Sequence, residues 1–127
     1  MAIISLLISL INIPFSAYGA LPNTIIKNCY DGDTCTTTNG EKIRLACIDT
    51  PELKGKKADP IPAEKARDFL NNLLINEEVS IRRITKDRYG RTVSELFKND
   101  INVQALIVDE GYGKIYERYA YQCNWTQ

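Results

Sequence analysis

Histidine is absent from this chain of 127 residues. Its absence removes the commonest general base, the zinc-hydrolase route and any histidine-triad hydrolysis. Catalysis here would have to run on carboxylates and guanidiniums. A charge excess is missing as well. Lys plus Arg and Asp plus Glu are 16 each, and the first charged residue is Lys27, so the chain beyond its N-terminal segment is also neutral. A globally basic coat for nucleic acid is thereby excluded, while local basic patches are not. Repeats, linkers and low-complexity stretches are lacking too, which leaves one domain with a modest core for a composition of 44% hydrophobic and 25% charged residues.

Ala2 to Ile13 is almost wholly apolar and uncharged, and Pro14 and the small residues Ser16, Ala17, Gly19 and Ala20 follow it. This pattern reads as a secretory signal peptide, residues 1–19, cleaved after Gly19, although a basic start is missing. It is too short for a comfortable membrane span; the competing readings are a retained anchor and a buried helix. The domain then runs over residues 20–127, and the protein is expected to be secreted or periplasmic, with no membrane attachment after cleavage. All four cysteines, Cys29, Cys35, Cys47 and Cys123, lie beyond the cleavage point. An oxidising compartment therefore predicts at least one disulfide; four cysteines allow three pairings, and the spacing leaves them open. The CxxC pairs of structural zinc sites do not occur.

Strand composition at Thr24 to Tyr30, Thr34 to Thr38 and Lys42 to Ile48, with the turn Asn39-Gly40 between the last two, predicts a β-meander. Pro51 to Pro62 reads as an exposed loop. A helix follows from Pro62, with Glu64 in its first turn and an apolar stripe of Ala66, Phe69, Leu70, Leu73 and Leu74. Val79 to Thr85 and Arg91 to Phe97 read as strands around a turn at Lys86 to Gly90, and Asn102 to Glu110 as a short helix closed by Gly111. Three strands, helix, two strands, helix is the order of a small closed barrel with helices against it, not of a parallel sheet.

Three segments carry chemistry: Asp31-Gly32-Asp33-Thr34, Arg44 through Asp49-Thr50-Pro51-Glu52, and Asp87-Arg88-Tyr89-Gly90-Arg91. Asp33 and Asp49 fall at the ends of successive strands, where carboxylates distant in sequence can meet. A hard cation of calcium type accepts a few carboxylates, backbone carbonyls and water. Two arginines add planar guanidiniums that match phosphate oxygens. Asp-Gly-Asp taken alone is ordinary turn chemistry, Pro51 serves equally to stop a strand and Glu52 to solvate a loop; the three segments in order are what carry weight. Two basic stretches, Lys54-Lys56-Lys57 and Arg82-Arg83-Lys86-Arg88-Arg91, are either phosphate contacts or solvated faces.

That ordered set resembles the staphylococcal nuclease-like (thermonuclease) family, over about Thr24 to Tyr119. The resemblance implies an α+β domain, mainly β: a five-stranded OB-fold barrel with two or three packed helices. It implies a calcium-dependent nuclease that hydrolyses phosphodiester bonds in DNA and RNA with little sequence preference, acting as a monomer without a stable protein partner. Carried over by position, Asp33 and Asp49 resemble the carboxylate ligands of Ca2+ and Thr50 the carbonyl ligand. Glu52 resembles the residue that positions or deprotonates the attacking water, Arg44 and Arg91 the charge-stabilising arginines, and Arg88, Tyr89 and Tyr119 the nucleotide-pocket residues. Asp31 is assigned to shaping the turn. Tyr116 and Tyr121 are further candidates for stacking on bases, or else packing residues.

The loop after Glu52 is shorter than in the founding member, and little chain follows Tyr119, where that protein has a long C-terminal helix. A disulfide through Cys123 is expected to offset part of the lost stability. Two other classes compete. A non-catalytic OB-type nucleic-acid-binding module would keep the barrel and lose the acids, which this chain retains. A disulfide-stapled interaction domain explains the cysteines but not the three motifs.

Overall fold

The computed structural model describes residues 20–127; the proposed signal segment, residues 1–19, lies outside the described residues. The element order is β1 (Asn23–Asp31), β2 (Thr34–Thr37), β3 (Lys42–Leu45), β4 (Ile48–Asp49), α1 (Pro60–Leu74), β5 (Glu78–Lys86), β6 (Thr92–Lys98), β7 (Ile101–Asn102), α2 (Val103–Asp109) and β8 (Lys114–Ile115). Two 3-10 helices, Glu117–Gln122 and Asn124–Thr126, end the chain. The main sheet runs β3-β2-β1-β5-β6-β7, and β3 pairs a second time with β6, in parallel, setting Ile43 opposite Thr92 and Leu45 opposite Ser94. That second pairing closes five strands into a barrel, the architecture expected of an OB-type α+β domain.

The barrel closes because each strand turns one apolar face inward: Ile26, Ile43, Leu45, Ile81 and Leu96 are fully buried there. Helix α1 seals one side with Ala63, Ala66, Leu70 and Leu74, at the 3–4-residue spacing of one helical face. It starts at Pro60, two residues before the expected Pro62. Pro60 needs no N–H partner in the first turn, and the Ala63 amide already donates to the Asp59 carbonyl at 3.0 Å. Asn71 on this helix clamps β1 at a bulge, accepting from the Cys29 amide at 2.7 Å and donating to its carbonyl at 3.0 Å. Helix α2 is capped by Asn102, whose side chain accepts from the Ala105 amide, so the residue expected to begin the helix is its cap.

The third expected strand, Lys42 to Ile48, is two strands. It breaks after Leu45 because Cys47 sits at φ +68°, and Leu45, Ala46, Cys47 and Ile48 are all buried, with none of a strand's alternation. The second piece, β4, pairs with β8, placing Asp49 opposite Lys114. Both disulfides of the described residues lie near this end. Cys29–Cys35 bridges the β1–β2 hairpin across paired positions, and Cys47–Cys123 ties the β3–β4 corner to the C-terminal 3-10 segment. The expected bond through Cys123 is present.

The basic stretch from Arg82 to Arg91 divides. Arg82 pairs with the fully buried Glu95 at 2.7 Å and donates to the Gln122 carbonyl, and Arg83 pairs with Glu41 at 2.6 Å. The hydrogen bond from Arg83 holds the Glu41 carboxyl below its usual range, against a smaller opposing effect of burial. These two arginines fasten β5 to its neighbours, which leaves Arg88 and Arg91 to face the site.

Candidate active site

The site forms where the β1–β2 turn meets the segment after β4. In the turn, the Asp31 carboxylate accepts from the Asp33 amide at 3.0 Å, a local Asx arrangement that folds Asp33 inward. The Asp33 carboxylate then receives the Thr50 hydroxyl at 3.0 Å and the Thr50 amide at 3.3 Å, with the Arg44 guanidinium at 3.5 Å from the same oxygen. Burial, and next the charge of Asp33, push the Asp31 carboxyl up from 3.8 to about 6. Negative charge is thus crowded into a partly buried corner.

Thr50 is held in that corner by two glycines. A Cβ at Gly32 would lie 2.8 Å from the Ala66 Cβ and 2.9 Å from the Thr50 Cβ, and one at Gly113 would lie 2.9 Å from the Thr50 Cγ2 and 3.1 Å from the Asp49 carbonyl oxygen. Neither contact is with the end of a flexible side chain, so any side chain must push the Asp turn and Thr50 apart. Gly32→Ala is expected to destabilise the protein by about 1–3 kcal/mol and to weaken any cation-dependent activity. A thermal melt superimposable on the parent's, with activity at the same calcium concentration unchanged, would contradict the packing described.

The third motif is organised by Asp87. Its Oδ1 accepts from the Tyr89 amide at 2.9 Å and the Arg91 amide at 3.0 Å, and its Oδ2 accepts from the Arg91 Nε at 2.7 Å. Burial opposes ionisation, but these bonds outweigh it and hold the Asp87 carboxyl below its usual range. Gly90, at φ +80°, lets the turn close. Arg91 Nη1 then reaches the Thr34 hydroxyl at 3.3 Å, beside Asp33, and its Nη2 donors have no protein partner among the described residues. Both Arg88 and Arg91 lie over the Tyr89 ring, at 5.0 and 5.5 Å from its centroid.

Arg44, Arg88, Tyr89, Arg91 and Tyr119 line one groove of about 610 Å³, whose floor includes Ile48 and Val93. Arg44 is fixed there by the Leu45 carbonyl at 2.6 Å and the Ile48 carbonyl at 2.9 Å. Glu52 lies outside that groove. It shares a neighbouring depression with Asp49, Thr50 and Lys57 and is exposed to solvent. Asp49, on β4, borders this depression and the next one, which runs past Gly113 and Lys114 to Arg118.

Among the described residues no group of three or more His, Cys, Asp or Glu side chains converges as a metal cage. The structure seats the Thr50 amide and hydroxyl on Asp33 and puts Asp49 next to Thr50 in the chain; the donors expected from these residues, two carboxylates and the Thr50 carbonyl, are all oxygen and few. They suit a hard cation that keeps several waters rather than a soft or fully enclosed one.

Sequence reasoning did not single out Gly113, Arg118 or the pairing of Asp49 with Lys114. The two-residue strands β4 and β8 carry no period to read, and their pairing is non-local.

A closed five-stranded barrel with carboxylates at one rim and arginines in the adjoining groove defines an OB-type domain with a phosphate-suited site. The chain belongs to the staphylococcal nuclease homologue family, whose match spans residues 42–126. It is 34% identical over 101 residues to a Haemophilus influenzae protein described as an uncharacterized endonuclease, covering 76% of this chain and 54% of that one. It is 30% identical over 96 residues to the thermonuclease of Staphylococcus intermedius, covering 71% and 57%. A probable endonuclease of Leptosphaeria maculans is 32% identical over 83 residues, covering 59% and 27%. The chain thus spans about half, or less, of the length of these curated relatives.

Proposed function

We propose that this protein is an exported, calcium-dependent nuclease that hydrolyses phosphodiester bonds in DNA and RNA with little sequence preference. The observation that carries the reading is the convergence of Arg44, Arg88 and Arg91 in one groove, with Arg44 3.5 Å from Asp33 and Arg91 3.3 Å from the neighbouring Thr34 hydroxyl. Two disulfides among the described residues, together with the apolar N-terminal segment, support export to an oxidising compartment.

Hydrolysis adds water to phosphorus and breaks one phosphorus–oxygen ester bond, and negative charge grows on the non-bridging oxygens on the way. Arg44 and Arg91 meet that charge with guanidiniums already held in place by carbonyls and by Asp87, so little reorganisation is needed during reaction. Glu52, exposed beside Thr50, orients the attacking water and accepts its proton. Asp33, Asp49 and the Thr50 carbonyl would hold the calcium ion. When bound, it supplies positive charge beside the phosphodiester and makes a nearby water easier to deprotonate. Tyr89 and Tyr119 offer aromatic faces that accept any base, consistent with weak sequence preference.

The test is digestion of single-stranded DNA and of RNA by the purified full chain with calcium, with chelator, and with Glu52→Ala. Calcium-dependent cleavage of both substrates, lost in the variant, is the expected result. Binding without cleavage under every condition would replace this reading with the binding module. An exported protein that still carries residues 1–19 on a blot would overturn signal cleavage.

A further inference from the structure

The arginine groove does not end at Tyr119. Tyr116 and Arg118 form part of its wall and also border a second groove of about 640 Å³, which continues past Lys114 to Asp49. The shared wall is ordered. The Tyr116 amide donates to the Cys47 carbonyl at 2.8 Å, the Tyr116 and Tyr119 rings meet edge-on at 5.2 Å, and the Arg118 guanidinium covers the Tyr119 ring at 5.4 Å. Neither Lys114 nor Arg118 has a carboxylate within ion-pairing distance among the described residues, whereas Arg44, Arg82, Arg83 and Arg91 all do. Two cations without a carboxylate partner, in a groove continuous with a phosphate-suited one and beside the half-exposed Tyr116 and exposed Tyr119, match the pattern of single-stranded nucleic-acid tracks.

We infer that the Lys114–Arg118 groove is a second phosphate subsite. It would hold the backbone of a single strand one or more nucleotides from the bond being cut, with Arg118 as its principal phosphate contact. Asp49 and Glu117 at the groove's edge disfavour a free polyanion settling there alone, so the strand enters only as a continuation of one seated in the arginine groove. The inference rests on the nuclease reading for the occupant of that first groove. It makes the protein a binder of polynucleotide rather than of dinucleotide, with a length preference set by Arg118.

Fluorescence anisotropy with labelled oligothymidylates of two and of eight nucleotides tests this, using the full chain in calcium with Glu52→Gln to slow cleavage. Arg118→Ala is expected to weaken binding of the eight-nucleotide strand by about three- to tenfold. The dinucleotide, seated in the first groove whose wall Arg118 shares, should lose distinctly less, and the logarithmic salt dependence for the longer strand should fall by about 0.7. Arg118→Lys should recover most of the loss, since a phosphate contact at a solvated rim asks mainly for charge. Equal losses at both lengths would place Arg118 in the first groove and overturn the subsite, as would no loss at either length. If the parent binds neither strand and also fails to digest DNA, the nuclease reading itself falls; digestion without a length effect removes only the subsite.

Discussion

Arg44→Ala is expected to lower kcat on single-stranded DNA by about a hundred- to a thousand-fold, with a much smaller change in KM. The guanidinium is mostly buried and lies 3.5 Å from Asp33. Its hydrogen bonds to the Leu45 and Ile48 carbonyls orient it before any substrate arrives. A donor fixed in this way acts most strongly where charge develops, in the transition state, so its loss falls on turnover more than on binding. Arg44→Lys tests the geometry separately. A point charge cannot satisfy two carbonyls and present a planar fork to phosphate, so lysine should recover little activity while the protein stays folded. Steady-state kinetics with a thermal melt of each variant decides the matter. Turnover within a few-fold of the parent in a folded Arg44→Ala protein would remove Arg44 from the chemistry.

Where local chemistry determines structure, the sequence could be read directly. The Asp31-Gly32-Asp33 turn, the Asn39-Gly40 hairpin, the apolar stripe of α1 and the turn at Asp87 depend on residues within a few positions of one another. Each is found where its turn or helix signal puts it. The β1–β2–β3 meander and the β5–β6 hairpin were legible for the same reason, whereas the β1–β5 and β3–β6 pairings that complete the barrel join segments far apart in sequence.

What was not legible depends on contacts between distant segments. Whether a basic residue serves the site or the fold is decided by its partner: Arg82 meets buried Glu95 and Arg83 meets Glu41, while Arg91, in the same run, is turned by Asp87 toward Thr34. The break after Leu45 falls at Cys47, which sits at φ +68° and is bonded to Cys123 at a sequence separation of 76, and cysteine spacing could not choose that pairing. Thr50 shows both sides of this division. Its place after Asp49 was evident in the sequence, but the two glycines that press it against Asp33 come from the first turn and from the approach to β8.

The two disulfides should separate stability from site geometry. Loop closure restricts the unfolded chain more for a longer loop. For Cys47–Cys123, with a sequence separation of 76, the chain-entropy relation gives about 4–5 kcal/mol, and for Cys29–Cys35, with a separation of 6, about 2 kcal/mol. Cys47→Ala with Cys123→Ala should therefore lower Tm much more than Cys29→Ala with Cys35→Ala. The long bridge is also surrounded by core: Cys123 is fully buried, and Trp125, Ile84 and Val93 pack around it. The short bridge instead encloses Asp31 and Asp33, so its removal should raise the calcium concentration needed for half-maximal activity while leaving most of the stability in place. Calorimetry paired with calcium titration of activity reads both effects. If the short-bridge variant melts below the long-bridge one, loop entropy is not what these bonds contribute, and the strain or packing around the hairpin must be.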